Sequence, residues 1–157
     1  MSVFERVARF SDRMFDRMRH RRAFAITDDQ AIDDGLDALR GHKYAVLVTF
    51  RRNGEAVPSP VWFGVDERGR AYVRTGAHAG KVKRLRHDDR VLLAPSSLRG
   101  KPNGPAIRGS GRILPREEWA HAEDTLAGAY GFLRRIEGRA LSGHDDLVAY
   151  VEITPRR

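Results

Sequence analysis

The fold is decided by KYAVLVTFRRNGEAVPSPVWFGVDERGRAYVRTG, residues 43–76. Residues 43–51 are apolar and rich in β-branched and aromatic side chains, as a strand requires. Asn53-Gly54 follows, the strongest short hairpin signal, so residues 56–66 read as the return strand. Pro58 and Pro60 lie two apart on it and point the same way. They strip N–H donors from one edge, which therefore does not pair along its full length. A second turn at residues 66–70 leads into a third strand, AYVRTG, residues 71–76.

Downstream, GKVKRLRHD (80–88) reads as a short helix with Val82 and Leu85 turned inward. RVLLAPSS (90–97) is a strand, and AIRGSGRIL (106–114) a strand that Gly109 and Gly111 bend or bulge. Pro115 opens a helix running to about Gly138, with Glu117 and Glu118 in its first turn and Trp119, Leu126, Tyr130, Leu133 and Ile136 on its apolar face. LVAYVEITP (147–155) alternates as a half-buried final strand. Upstream, residues 26–41 predict a helix: Thr27 and Gln30 form a capping box, Ile32, Leu36 and Leu39 the buried stripe, and Gly41 the C′ stop. Residues 3–20 carry Phe4, Val7, Ala8, Phe15 and Met18 near helical spacing, with a basic polar face. Asp12 and Asp16 interrupt that face, so packing on its own domain or on a second subunit is preferred to contact with a membrane surface.

Six short, mostly antiparallel strands with flanking helices predict a mainly β (α+β) chain folded as a small barrel. Such a barrel buries Val46, Val48, Val61, Phe63, Val73, Leu92 and Val151. Residues 1–25 form an N-terminal helical extension and 26–157 the barrel domain. The 157 residues, 41% of them hydrophobic, suit one core. There is no cysteine, which excludes a disulfide scaffold, a thiolate nucleophile and any Cys-based metal centre. No long uncharged apolar run or signal-peptide core appears, so a cytoplasmic protein is expected. The net charge of +8 favours acidic partners.

His20, His42, His78, His87, His121 and His144 show no metal-ligand spacing, and no metal site is expected. Glu118 and His121 make a single Glu-x-x-His, read as a solvated helix face because a di-iron bundle needs a second. A nucleophile elbow and a P-loop are both absent. The informative stretch is RTGAHAGKVKRL, residues 74–85, with four basic side chains and no acid. A strand end, a glycine-containing turn and a helix start attract an anion through backbone N–H groups, and Arg74, Thr75 and Lys81 add donors. On charge alone, a solvated basic surface is an equal alternative. One hairpin earlier, the proline-blocked edge and Trp62 offer a shelf to a flat ring, with ordinary core as the alternative fate of Trp62.

Residues 48–114, close to half the chain, resemble the split β-barrel flavin and deazaflavin family that contains pyridoxamine 5′-phosphate oxidase, and within it the coenzyme F420-dependent branch. The resemblance rests on Pro-Ser-Pro-Val-Trp-Phe (58–63), Tyr-Val-Arg-Thr (72–75), Gly-Lys-Val-Lys-Arg-Leu (80–85) and Asp-Asp-Arg-Val (88–91). It implies a six-stranded antiparallel split barrel that forms a homodimer with two cofactors at the interface. Carried over residue by residue, Arg74, Thr75, Gly80 and Lys81 hold the cofactor phosphate, with Lys83 or Arg84 nearby. Ser59, Pro60, Val61 and Trp62 line the ring. Ala79 departs from the pattern, since many relatives have Arg or Ser there.

Coenzyme F420 is preferred to flavin mononucleotide (FMN) because its oligoglutamate tail is a long anion, and Arg51, Arg52, Lys81, Arg84 and Lys101 would line a groove for it. The implied activity is hydride transfer between reduced deazaflavin and a small, electron-poor acceptor. No catalytic residue is assigned; Tyr72, His78 and solvent are the candidate proton sources. The alternatives are an FMN oxidase or reductase of the same fold, or a non-catalytic cofactor- or nucleic-acid-binding protein. The last lacks a recognisable nucleic-acid motif, and no aromatics interleave its basic cluster.

Overall fold

The β1–β2 hairpin turns through three residues, Arg52 to Gly54, as a computed structural model describing residues 19–130 and 145–156 makes clear. Arg51 N–H donates to Glu55 O and Gly54 N–H to Arg51 O, and Gly54 takes φ +87°. This is a type I turn closed by a left-handed glycine, so only the glycine of Asn53-Gly54 leaves the ordinary region. The next hairpin repeats the device at Asp66–Arg70, with Gly69 at φ +75°.

The six strands are β1 (Tyr44–Phe50), β2 (Ala56–Val65), β3 (Ala71–Gly76), β4 (Arg90–Ser96), β5 (Ile107–Ile113) and β6 (Val148–Pro155). They close antiparallel in the order β1-β2-β3-β6-β5-β4. Among the described residues two α-helices accompany them, α1 (Gly80–Leu85) and α2 (Trp119–Tyr130). The barrel interior holds Ala45, Leu47, Val61, Phe63, Val73, Leu93, Val151 and Ile153, with Leu85 of α1 packed against them.

All seven expected core residues are buried, but on two faces. Val61, Phe63, Val73 and Val151 point inward, whereas Val46, Val48 and Leu92 point outward beneath Ala23, Ile26 and Ala31. Both faces of β1 are covered, which is why its sequence is a continuous apolar run instead of an alternation. A third layer forms where α2 lays Ala122 and Leu126 over Tyr72 and Tyr150.

Two expectations are corrected. Residues 26–41 form no α-helix; two short 3₁₀ turns, Asp28–Gln30 and Leu36–Leu39, stand there, and Thr27 makes no side-chain cap. Ile32 between them is drawn into an isolated bridge with Ile107: its N–H donates to Ala106 O, and its carbonyl accepts from Arg108 N–H. Those bonds take the backbone groups that a helix would use.

Gly109 and Gly111 mark no bulge, because the β5–β6 register runs unbroken through them. They allow close approach instead. A Cβ at Gly109 would lie 2.9 Å from Thr154 O, and one at Gly111 2.9 Å from a Leu85 methyl. Glu118 and His121 are exposed, as expected, and each also makes a contact across the fold. Glu118 takes two hydrogen bonds from Arg112, and His121 contacts Asp66, so both fasten α2 to the barrel. Residues 3–18 of the expected N-terminal helix and 131–138 of the last helix lie outside the described residues.

Candidate functional site

The two prolines of β2 decide where the barrel opens. Val57, Ser59 and Val61 face β1 partners Thr49, Leu47 and Ala45. Pro58 and Pro60, which have no N–H, fall between them and leave the opposite edge unladdered. Accordingly β3 pairs only with Phe63–Val65. On the open length the Pro58 carbonyl accepts from Arg19 Nη1 at 2.7 Å. Continued past its last pair, the β2–β3 register sets Trp62 level with Arg74 and Val61 level with Thr75. Val61, Trp62, Arg74 and Thr75 thus meet where β2 and β3 part, whereas Gly80, Lys81 and Arg84 belong to α1, whose Arg84 reaches Thr49, the register partner of Val57.

Strand alternation divides them between two faces. Ser59, Val61 and Thr75 point into the barrel and are buried, with relative exposures of 4%, 7% and 8%. Pro60, Trp62 and Arg74 occupy the outer face. Trp62 is 38% exposed and tilts against Tyr44 with ring centroids 6.4 Å apart, so it is a surface ring and not part of the core.

Thr75 Oγ1 is a buried hydroxyl without a hydrogen-bond partner among the described residues. Buried polar atoms are ordinarily satisfied, and leaving one unpaired costs about 1–3 kcal/mol. The turn after it is pinned by Ala77 N–H to Leu147 O and Ala79 N–H to Gly76 O. Ala79 then stands at the N-cap of α1 with no side-chain acceptor to offer it.

Arg84 is the cation that folds back. Its Nε donates to Thr49 Oγ1 at 2.6 Å, and its guanidinium lies against Gly80, where a Cβ would be 2.7 Å from Nη1. Lys81 is half-buried in the same turn, whereas Lys83 points to solvent. Thr49, wholly buried, was not singled out by sequence, since its only distinguishing mark is a hydroxyl in an apolar strand.

The five cations expected to line one groove do not do so within the chain. Arg51 and Arg52 follow the Phe50 end of β1, while Lys101 follows Ser96, which pairs with Tyr44 at the other end. A seven-residue strand separates those ends by roughly 20 Å.

Tyr72 is no ready proton source. It is 1% exposed, with its hydroxyl 3.2 Å from Asp66 Oδ2 and 3.1 Å from Glu152 Oε2. Burial, then the Glu152 and Asp66 carboxylates, push its pKa well above the ordinary phenol range. Asp66 also accepts from Arg68 and Arg70 N–H and meets His121 Nε2 at 2.9 Å. Burial raises its pKa, but the bonds from His121, Arg70, Arg68 and Tyr72 outweigh that and hold the carboxyl below the usual range. This network borders a cleft of about 800 Å³ between α2 and the β2–β3 turn, and none of the nine candidate cofactor residues lines it. Among the described residues no group of three or more His, Cys, Asp or Glu is placed to hold a metal ion, and no helix is long and apolar enough to cross a membrane.

No family model matches the chain, and no curated protein matches it. Solved structures do. The heme storage protein of Vibrio cholerae aligns at TM-score 0.58 and 14% identity over 79% of this chain and 92% of its own. A protein from Listeria innocua described as a pyridoxamine 5′-phosphate oxidase aligns at 0.52 and 16%, over 78% and 90%. An F420 reductase aligns at 0.53 and 16%, over 80% and 97%. At these identities the likeness establishes the fold, a closed six-stranded split-type β-barrel.

Proposed function

We propose that the chain is an oxidoreductase that holds coenzyme F420 where β2 and β3 part and serves a small, electron-poor acceptor. The observation that carries the reading is Thr75 Oγ1, a buried hydroxyl that lacks a hydrogen-bond partner among the described residues. The donor set fits a phosphate: Thr75, Arg84 and Lys81 present hydroxyl, guanidinium and ammonium groups, and residues 70–87 contain no acid. Charge-assisted bonds of this kind are the strong ones. Trp62, half-exposed beside the open edge of β2, offers its face to a planar ring system.

In this reading Thr75, Lys81 and Arg84 hold the phosphate near Gly80, Pro60, Trp62 and Arg74 meet the ring on the outer face of the sheet, and Ser59 and Val61, whose side chains turn into the barrel, contribute backbone alone. The deazaflavin, when bound, supplies a two-electron hydride donor. The protein's part is to orient ring and acceptor and to exclude water. The proton comes from solvent or from the exposed His78, since Tyr72 is held between two carboxylates. The likeness to an F420 reductase supports the deazaflavin, while the likenesses to an FMN-type oxidase fold and a heme storage protein define the competitors. A homodimer completing the site from a second copy belongs to the same proposal.

The test is a set of separate titrations of the purified protein with oxidised F420, FMN, hemin and duplex DNA. Saturable F420 binding that Lys81→Ala weakens at least tenfold supports the reading. Tight FMN or hemin binding without F420 binding replaces the cofactor. Binding of DNA alone, falling steeply with salt, overturns the proposal.

A further inference from the structure

Thr49 is the least conspicuous member of the cluster and the most completely buried. It lies on the inward register of β1, 0% exposed, 35 positions from the arginine it contacts. We infer that Thr49 is a positioning residue for the anion site: its hydroxyl fixes the Arg84 guanidinium over Gly80 and so decides recognition of a ligand's phosphate as distinct from its ring. The inference rests on the cofactor reading above.

Three observations support it. An arginine carries several freely rotating bonds, and ordering such a side chain costs rotamer freedom when it binds a ligand. Thr49 restricts that freedom, because Arg84 Nε donates to its Oγ1 at 2.6 Å. Anchoring through Nε directs the two terminal nitrogens, the bidentate end of the fork, away from β1 and toward the turn. At that turn the position facing Nη1 is glycine, the one residue without a Cβ to displace it. Anchor, arm and clearance therefore come from β1 and from both ends of α1.

Thr49 also sits where a hydroxyl is otherwise hard to explain. Its inward neighbours along the strand are Ala45 and Leu47, and a valine would pack there without a polar atom to satisfy. The hydroxyl instead accepts from Arg84 of α1.

The test compares wild type, Thr49→Val and Thr49→Ser by fluorescence titration with two ligand pairs. One pair is oxidised F420 and its ribityl deazaflavin core lacking the phospholactyl chain; the other is FMN and riboflavin. Thr49→Val is expected to weaken the phosphate-bearing member of the bound pair about tenfold or more and to leave the phosphate-free member within about threefold. Thr49→Ser is expected to restore wild-type affinity within about threefold. Thermal melting of each variant verifies folding. Equal loss for both members of a pair assigns Thr49 a purely structural role and overturns the inference. So does a Thr49→Val protein that binds as wild type does. A wild-type protein that binds neither pair overturns the cofactor reading together with this role, whereas intact wild-type binding with an unaffected valine variant overturns the role alone.

Discussion

His121 Nε2 meets Asp66 Oδ2 at 2.9 Å, joining α2 to the β2–β3 turn across 55 residues of sequence. Asp66 is 7% exposed and receives Arg68 and Arg70 N–H on its other oxygen, so all of its acceptor capacity serves the fold. The helix that covers Tyr72 and Tyr150 is thus held by one ionised carboxylate as well as by apolar packing.

A pH dependence follows from Asp66. The folded state keeps this carboxyl ionised to lower pH than the unfolded chain, whose ordinary value is about 3.9. Its contribution is therefore fully present above that value and is lost as pH falls through the depressed folded value. Asp66→Asn should remove about 1–3 kcal/mol at pH 7 and flatten the acid limb of the stability curve. Urea denaturation at steps between pH 2.5 and 7 measures both. An unchanged acid limb in the asparagine variant would assign that limb to other groups.

Gly64 makes a second, purely steric prediction. A Cβ there would lie 2.9 Å from the Thr125 carbonyl and 3.3 Å from Ala129 Cβ, both on α2. Backbone cannot yield as a side-chain tip does, so Gly64→Ala should lift α2 from β2 and cost about 1–3 kcal/mol. Chemical denaturation reads the loss, and weakened protection of α2 amides in hydrogen exchange locates it. A variant as stable as wild type would mean that α2 shifts without penalty.

Thr75→Val separates stability from binding. The hydroxyl has no partner among the described residues, so replacing it with a methyl should leave the ligand-free protein unchanged or stabilise it by about 1 kcal/mol. Affinity for a phosphate-bearing cofactor should fall about tenfold in the same protein. Melting temperature and titration together check the opposite signs. Destabilisation without loss of affinity would assign Thr75 to the core.

What the sequence made legible follows from the range of the interactions. β3 falls at residues 71–76 as read, and the other strands within a residue or so, because alternation, prolines and turn glycines act between near neighbours. The open edge of β2 was legible for the same reason, in Pro58 and Pro60. Residues 26–41 misled because their apolar spacing is helical, yet of the expected stripe only Leu36 and Leu39 are buried: Ile32 is 39% exposed, and its backbone bridges Ile107 of β5, 75 positions away. Thr49 with Arg84, and Asp66 with His121, were out of reach on the same ground: each pair is assembled by barrel closure, and neither member carries a local mark of the other. The scattered cations read as one groove for the opposite reason, since sequence proximity to the site said nothing about which end of β1 they occupy.

The last prediction concerns Gly80, where a clash falls on a movable group. A Cβ there would meet Arg84 Nη1 at 2.7 Å, but the guanidinium is the far end of a flexible side chain and can swing away. Alanine is also the better helix former at the start of α1, by up to about 1 kcal/mol. Gly80→Ala should therefore hold or slightly raise the melting temperature while displacing Arg84 from its place over the turn. Phosphate-bearing ligands should then bind several-fold more weakly, and their phosphate-free counterparts unchanged. The contrast with Gly64→Ala, where the same added methyl meets backbone and destabilises, makes the pair a direct comparison of a packing glycine with a site glycine. If Gly80→Ala lowers stability as Gly64→Ala does and leaves ligand affinity intact, the glycine serves the helix and not the arginine.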